Sequence, residues 1–359
     1  MTPVILVVAL SILIIVHEAG HFVMARWLGI RVERFSIGFG PVLLKWKRGE
    51  TEYVLSALPL GGYVKMSGEQ SAESTGARWE YSSRPVYQRV GIVFAGPFVN
   101  YVMGALLFIL VFWAGYPVLT PKVGQVIEGF PAQAAGVRPG DEVLAINGTA
   151  VDSWEVMTER VRSQTSGAPI ALRLRRDGTE QTIAVTPLVK QGHTILGRPT
   201  KVAQIGLVPS GEAHLARYPL PVAVARGIDR TWWLTTMTLQ AFWQMATGAL
   251  PVKESLTGPV GIFYITSSAA ALGWRYLAQL FAVISVSLAI FNCLPLPVLD
   301  GGHLAFLVWE GFWRKPVSLR IQELLTKVGM CLLIGVLLVV TYNDVIKFQL
   351  MSKLTGWFR

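Results

Sequence analysis

The sequence predicts a polytopic α-helical membrane protein of about four transmembrane helices. A cytoplasmic or membrane-embedded β-hairpin region follows the first helix, and an extracytoplasmic α+β domain is inserted after the second. Three observations carry this reading. Apolar runs cover residues 3–28, 90–116, 275–294 and 326–342, and about 17 to 25 such residues suffice to cross the hydrocarbon core as a helix. The 359 residues are 52% hydrophobic and 15% charged, with a mean hydropathy of +0.47. These values suit an integral membrane protein carrying some soluble mass, not a water-soluble enzyme. Residues 121–190 break the pattern: eight Lys/Arg balance eight Asp/Glu there, and the apolar spacing becomes that of a soluble domain.

The first helix carries the most specific signal, His17-Glu18-Ala19-Gly20-His21. Residues four apart share a helix face, so His17 and His21 offer two imidazoles to one metal. Glu18 stands where it can hold a metal-bound water and take its proton, the pattern of a zinc hydrolase. Ionisable groups within a membrane-spanning segment are costly and usually functional. No Lys or Arg precedes this run, and no small-residue cleavage site follows it, so it reads as a retained helix and not a signal peptide.

Residues 29–90 hold nine Lys/Arg against six Asp/Glu, which places this loop in the cytoplasm and the N-terminus outside. Alternation over 32–41, 42–46 and 51–55 predicts β-hairpins. Gly38 and Gly40 read, taken alone, as turn residues. Residues 58–66 read as another strand entry, and 67–84 as polar and mobile. In the second helix Ala95 and Gly96 suit close helix packing, Pro97 a local kink, and Asn100 a hydrogen bond between helices.

From 121 onward short strands are expected at 123–127, 142–146, 170–175 and 181–185, with a turn at Asn147-Gly148 and a helix over 153–165 capped by Asp152 or Ser153. The run GVRPGDEVLAING within this stretch resembles a bacterial PDZ domain, which binds an extended chain along a sheet edge. Residues 191–274 read as a linker with interfacial amphipathic helices. The span 221–250 is apolar but interrupted by Arg226, Asp229 and Arg230, and Trp232, Trp233 and Trp243 suit an interface. After the third helix, Pro295 and Pro297 break the backbone, leaving Asp300 on irregular chain near membrane depth. There it is either part of an ordinary Asp-Gly-Gly turn or a third metal ligand beside two histidines. A short cytoplasmic loop with Arg314, Lys315, Arg320 and Lys327 leads into the last helix. The divisions expected are thus 1–120, 121–190, 191–274 and 275–359.

The net charge of +10 raises a nucleic-acid partner, but the cations form no long run or single stripe, and part of the excess lies in short loops beside apolar helices. The lipid bilayer is the expected partner, and no nucleic acid is. Cys293 and Cys331 both lie in apolar segments, too few for a disulfide framework or a cysteine zinc knuckle.

In order along the chain stand HEAGH, SIGFGP, LPLGGYVKM, FAGPFVN, the PDZ-like run, LTGPVGI and NCLPLPVLDGG. Over nearly its whole length the chain resembles the site-2 proteases, intramembrane zinc metalloproteases, and among them the RseP-type regulators of envelope stress. A single PDZ domain is visible where some relatives have two. The resemblance implies Zn2+ held by His17, His21 and Asp300, Glu18 as general base, and Asn292 binding the substrate backbone or the oxyanion. It makes Gly38-Phe39-Gly40 part of a membrane-embedded hairpin that pairs with substrate. It further implies a single-pass membrane substrate already shortened by another protease, of the anti-sigma-factor or remnant-signal-peptide kind. A substrate ectodomain or peptide would meet the PDZ domain, and the setting would be a bacterial inner membrane with the active site near its cytoplasmic side. Two rivals remain: a membrane-anchored PDZ adaptor without catalysis, and a metal-ion transporter using the intramembrane histidines and carboxylates.

Overall fold

The computed structural model describes residues 2–69, 74–193, 199–251 and 256–347. Its first helix, α1 (Thr2–Trp27), is followed by two long strands, β1 (Val32–Arg48) and β2 (Thr51–Met66), and by α2 (Val86–Ala114). At about 1.5 Å per residue, α1 and α2 are each long enough for a roughly 30 Å hydrocarbon core. Among the described residues four helices are long and apolar enough to cross a membrane: α1, α2, α7 (Trp274–Asn292) and α9 (Leu319–Lys347). That count fits a polytopic membrane protein. Among the described residues between α2 and α7 lie ten short strands with α3 (Pro131–Ala134) and α4 (Trp154–Arg162), then α5 (Leu220–Ala246) and α6 (Pro259–Leu272). The helix α8 (Asp300–Trp313) separates α7 from α9.

The chain divides into two compact units. In the first, β1 and β2 build more than a plain hairpin. Residues Arg34 to Ile37 pair with Lys65 to Gly62 and also with Glu52 to Leu55, which in turn pair with Lys47 to Leu44. The sheet is tied to α1 by Phe22, whose ring meets Phe35 at 5.2 Å and Tyr53 at 6.0 Å. Ala25, Ile30, Val32, Met66 and Ile92 form the buried cluster beneath it. Residues 74–82 are held in place, against the expectation of mobility. Glu80, 3% exposed, accepts hydrogen bonds from the Ser74 hydroxyl (2.8 Å), the Thr75 hydroxyl (2.6 Å) and the backbone N–H groups of Thr75 and Gly76. Those donors, the Thr75 hydroxyl foremost, hold the Glu80 carboxyl down at about 2. Residues 70–73 of the expected polar stretch lie outside the described residues.

Three expectations for the C-terminal half need correction. Asp300 is the first residue of a helix, not part of an irregular turn; the irregular chain is 293–299. Side chains at Gly301 and Gly302 would run into the backbone of Cys293, Leu294 and Leu296, so the Asp-Gly-Gly sequence lets α8 start directly on the proline-broken segment. The last helix is longer than 326–342, and Arg320 and Lys327 sit inside it. A separate 14-residue helix, α6, precedes α7. It starts at Pro259, and the buried Asp344 of α9 accepts from its Gly261 N–H at 2.7 Å. Gly258 would clash with that carboxylate if it had a Cβ, which accounts for the Gly-Pro-Val-Gly sequence there. Of the span 221–250, residues up to Ala246 lie in one long helix, α5, that is not among the four candidate spans.

The second unit is built on a four-stranded antiparallel sheet in the order β6 (Thr149–Ala150), β5 (Glu142–Ile146), β7 (Ile170–Arg176), β8 (Thr179–Val185). Ser153 caps α4, its Oγ accepting from the Val156 N–H at 3.3 Å. The expected boundary at 190 falls inside this unit. Ile205 is part of its core, and β11 (Leu207–Pro209) pairs with β4 (Val123–Val126). Asp141, 1% exposed, pins its Arg-Pro-Gly-Asp turn: it accepts from the Arg138 N–H at 2.8 Å and from Arg176 at 2.8 and 2.7 Å.

Candidate active site

His17 and His21 lie one turn apart on α1, both buried. Across from them α2 runs in the opposite sense, and three of its residues at four-residue spacing meet the pair. Ile92 offers its carbonyl oxygen to His21 Nδ1 at 2.8 Å. Gly96, one turn on, makes room for both rings: a Cβ there would collide with His21 Nε2 and Cε1 and lie 2.9 Å from His17 Cε1. Asn100, a further turn on, places its amide nitrogen 3.5 Å from His17 Nδ1. Gly20 on α1 brings the helices this close, since a Cβ there would sit 2.5 Å from the Ala95 carbonyl oxygen. Pro97 falls in the same turn of α2, where it removes one backbone N–H and loosens the helix ladder.

Asp300 reaches the same point from the start of α8. Its Oδ2 lies 3.0 Å from His17 Nε2 and 3.5 Å from His21 Nε2, and the two Nε2 atoms are 3.3 Å apart. A helix N-terminus favours a carboxylate, and Asp300 stands in the first turn. The helix it opens is clamped to α2 by Arg89, whose guanidinium bonds both carboxylate oxygens of Glu310.

The chemistry of the donors tests whether a metal fits. The Ile92 carbonyl only accepts, so the neutral His21 ring carries its proton on Nδ1 and turns a lone pair outward at Nε2. Asp300 Oδ2 is buried with no hydrogen-bond partner. Lone pairs converging within 3.0 to 3.5 Å repel unless a proton or a metal ion lies among them. Donors at tetrahedral zinc distances stand about 3.3 Å apart, so two imidazole nitrogens and one carboxylate oxygen fit that ion.

Glu18 is half-buried on α1 next to the sheet, its Cγ 3.3 Å from where a Cβ on Gly62 would stand. Gly38 and Gly40 both have positive φ (88° and 85°) inside β1, and Phe39 between them is 47% exposed, stacked on Tyr63 at 6.2 Å. Asn292 ends α7, half-buried. Among the described residues no hydrogen bond joins it to His17, His21 or Asp300, so the converging set is those three. The sequence reading passed over Ile92, Gly96 and Asn100 as site residues. Their signal was the 92, 96, 100 spacing, which mirrors the four-residue spacing of the histidines.

Residues 5–336 match the family model described as peptidase family M50. A protein of Mesorhizobium japonicum named as a zinc metalloprotease is 35% identical over 353 residues, covering 93% of this chain and 96% of its own. Another so named, from Campylobacter jejuni, is 33% identical, covering 94% of this chain and 92% of its own. Zinc metalloprotease RasP of Geobacillus kaustophilus is 29% identical, covering 96% and 97%. With two histidines and a carboxylate converging between apolar helices, and with similarity to these relatives along almost its full length, the chain belongs to peptidase family M50, the site-2 proteases, and is a zinc metalloprotease.

Proposed function

We propose that this protease cleaves a single-pass membrane protein within or near its transmembrane helix, and that His17, His21 and Asp300 hold the zinc. The observation that carries the reading is the convergence of three lone-pair atoms at 3.0 to 3.5 Å between apolar helices. Zinc in that position supplies a Lewis acid that polarises the scissile carbonyl and activates water. Glu18, one residue beyond His17, takes the water's proton and later delivers it to the leaving amine. Asn292 binds the substrate backbone or the oxyanion.

The substrate's difficulty is physical. A helix in lipid hides its peptide groups in its own hydrogen bonds, and unwinding it strands each group at several kcal/mol. The sheet of β1 and β2 answers this by offering backbone partners to an unwound segment, with Gly38-Phe39-Gly40 in the pairing region. Support comes from the sheet touching Glu18 at Gly62. It comes also from the exposed apolar side chains Val42, Leu43, Leu44 and Trp46 along β1, which suit lipid or substrate better than water. The second unit acts as a PDZ domain, outside the cytoplasm, that docks or filters the ectodomain of a substrate already trimmed by another protease. The active site opens to water on the cytoplasmic side of a bacterial inner membrane. The substrate is of the anti-sigma-factor or remnant-signal-peptide kind.

The test is cleavage of a tagged single-pass helix by purified protein in detergent, wild type beside Glu18→Gln and His17→Ala, with zinc content measured in each. Loss of cleavage with zinc retained in Glu18→Gln, and loss of zinc in His17→Ala, are the expected results. Equal cleavage by wild type and Glu18→Gln would remove the mechanism.

A further inference from the structure

The zinc reading leaves one nitrogen without a partner. If His17 gives its Nε2 lone pair to the metal, which the zinc assignment asks of it beside Asp300 at 3.0 Å and His21 at 3.3 Å, then its Nδ1 carries a proton. That N–H is buried and needs an acceptor. His21 has one in the Ile92 carbonyl. What faces His17 Nδ1 at 3.5 Å is the amide nitrogen of Asn100, a donor opposite a donor. Asn100 is 0% exposed, and its amide oxygen has no hydrogen-bond partner. The two ends of an amide are nearly equal in shape, so half a turn about the last side-chain bond exchanges them without disturbing the packing.

We propose that Asn100 is a positioning residue for the metal centre: its amide oxygen accepts the Nδ1 proton of His17, fixing the tautomer and ring plane that aim Nε2 at zinc. The role rests on the zinc assignment above. Asn100 is well placed for it. Its backbone carbonyl accepts from the fully buried Ser285 hydroxyl at 2.7 Å, which fixes this turn of α2 against α7. The register that puts Gly96 between the two rings also puts Asn100 beside one of them and the Ile92 carbonyl beside the other. The two histidines are thus oriented by one helix through two different acceptors, a main-chain oxygen and a side-chain oxygen. Only the second is open to mutation.

The experiment compares zinc affinity, by chelator competition in detergent at neutral pH, among wild type, Asn100→Leu, Asn100→Ala, Asn100→Asp and His17→Ala, with the visible spectrum of each Co2+-loaded form. Asn100→Leu keeps the volume but removes the acceptor, while Asn100→Asp keeps an acceptor and removes the donor. Losing the partner of a metal-bound histidine typically weakens metal binding about 10- to 100-fold. The expected result is a loss of that size in the Leu and Ala variants with altered Co2+ bands, and affinity restored to wild type or tighter in Asn100→Asp. Equal loss in Leu, Ala and Asp variants would make Asn100 a packing residue only, and unchanged affinity in Asn100→Leu would also overturn the proposal. His17→Ala separates the two levels: if it binds zinc as wild type does, the zinc assignment itself fails, whatever Asn100 does.

Discussion

Two aspartates, one in each compact unit and each with a buried carboxylate oxygen, show how differently the same side chain can be used. Asp141 has both oxygens satisfied, by two guanidinium N–H groups of Arg176 and the backbone N–H of Arg138. Asp300 faces two histidine nitrogens and has an oxygen with no hydrogen-bond partner. A buried carboxylate with a complete set of donors holds a turn together. One left incomplete among other lone pairs is a ligand waiting for a cation. The identity of the neighbours is what separates the two roles.

The largest expected effect separates the two roles directly. Asp300→Ala should reduce cleavage on the order of 10³-fold or more, with zinc lost, while thermal unfolding of the metal-free protein moves little. If Asp300→Ala unfolds the protein instead, Asp300 resembles Asp141 after all and the contrast collapses. Asp141→Asn should do the reverse: zinc content unchanged, and the second unit destabilised, because Arg176 loses its charged partner. Its pH dependence has a definite sign. Burial pushes the Asp141 carboxyl up, but the Arg176 and Arg138 hydrogen bonds and charges outweigh it and hold the carboxyl below its ordinary range. A depressed folded-state value means that the stabilisation is present above the ordinary carboxylate range and lost as pH falls below it. Denaturant midpoints of wild type and Asp141→Asn should therefore converge in acid; a gap constant with pH would assign the effect to packing.

Gly96→Ala sharpens the other side of the contrast. The added methyl must displace one imidazole or spread α1 from α2, at about 1–3 kcal/mol, and zinc affinity should fall while the second unit melts as before. A Gly96→Ala protein with full zinc affinity would mean that the rings have room which the structure denies them. The smallest effect belongs to Glu80→Gln, because its donors are neutral and come from the adjoining Ser74, Thr75 and Gly76. Loss should be confined to faster hydrogen exchange over residues 74–82. Since the Glu80 carboxyl is held at about 2, the wild-type protection should persist as pH falls through 4 and fade only toward 2. Protection already lost at pH 4 would contradict this.

Much of this centre was legible before any coordinates. His17 and His21 follow from helix periodicity, and the four spans from apolar length, because both are local properties of the chain. The Asn-Gly turn and the capped helix of the second unit are local in the same way. The misreadings share a cause. Asp300 is expected on irregular chain, as a turn residue or a ligand, because prolines and glycines precede and follow it, yet Gly301 and Gly302 are there for close backbone approach, which spacing does not reveal. The second unit was cut at 190 because Ile205 and Leu207 complete its core from beyond a stretch with no strong pattern. The bond between helices expected of Asn100 is present, but nothing nearby in sequence marks its partner as His17, 83 positions away.

By itself, then, the sequence determined which segments are apolar enough to span a membrane, which face of α1 bears two imidazoles, and what chemistry those imidazoles and the neighbouring carboxylate can perform. Only the tertiary structure decided that Asp300 arrives beside them, that Gly20 and Gly96 bring α1 and α2 close enough for α2 to orient both rings, and that Asn100 stands at the free nitrogen of His17. The physical reason is range. Periodicity and capping act within a few residues, whereas a metal centre needs donors from distant segments placed to within about half an ångström, and close packing of helices is what sets such distances.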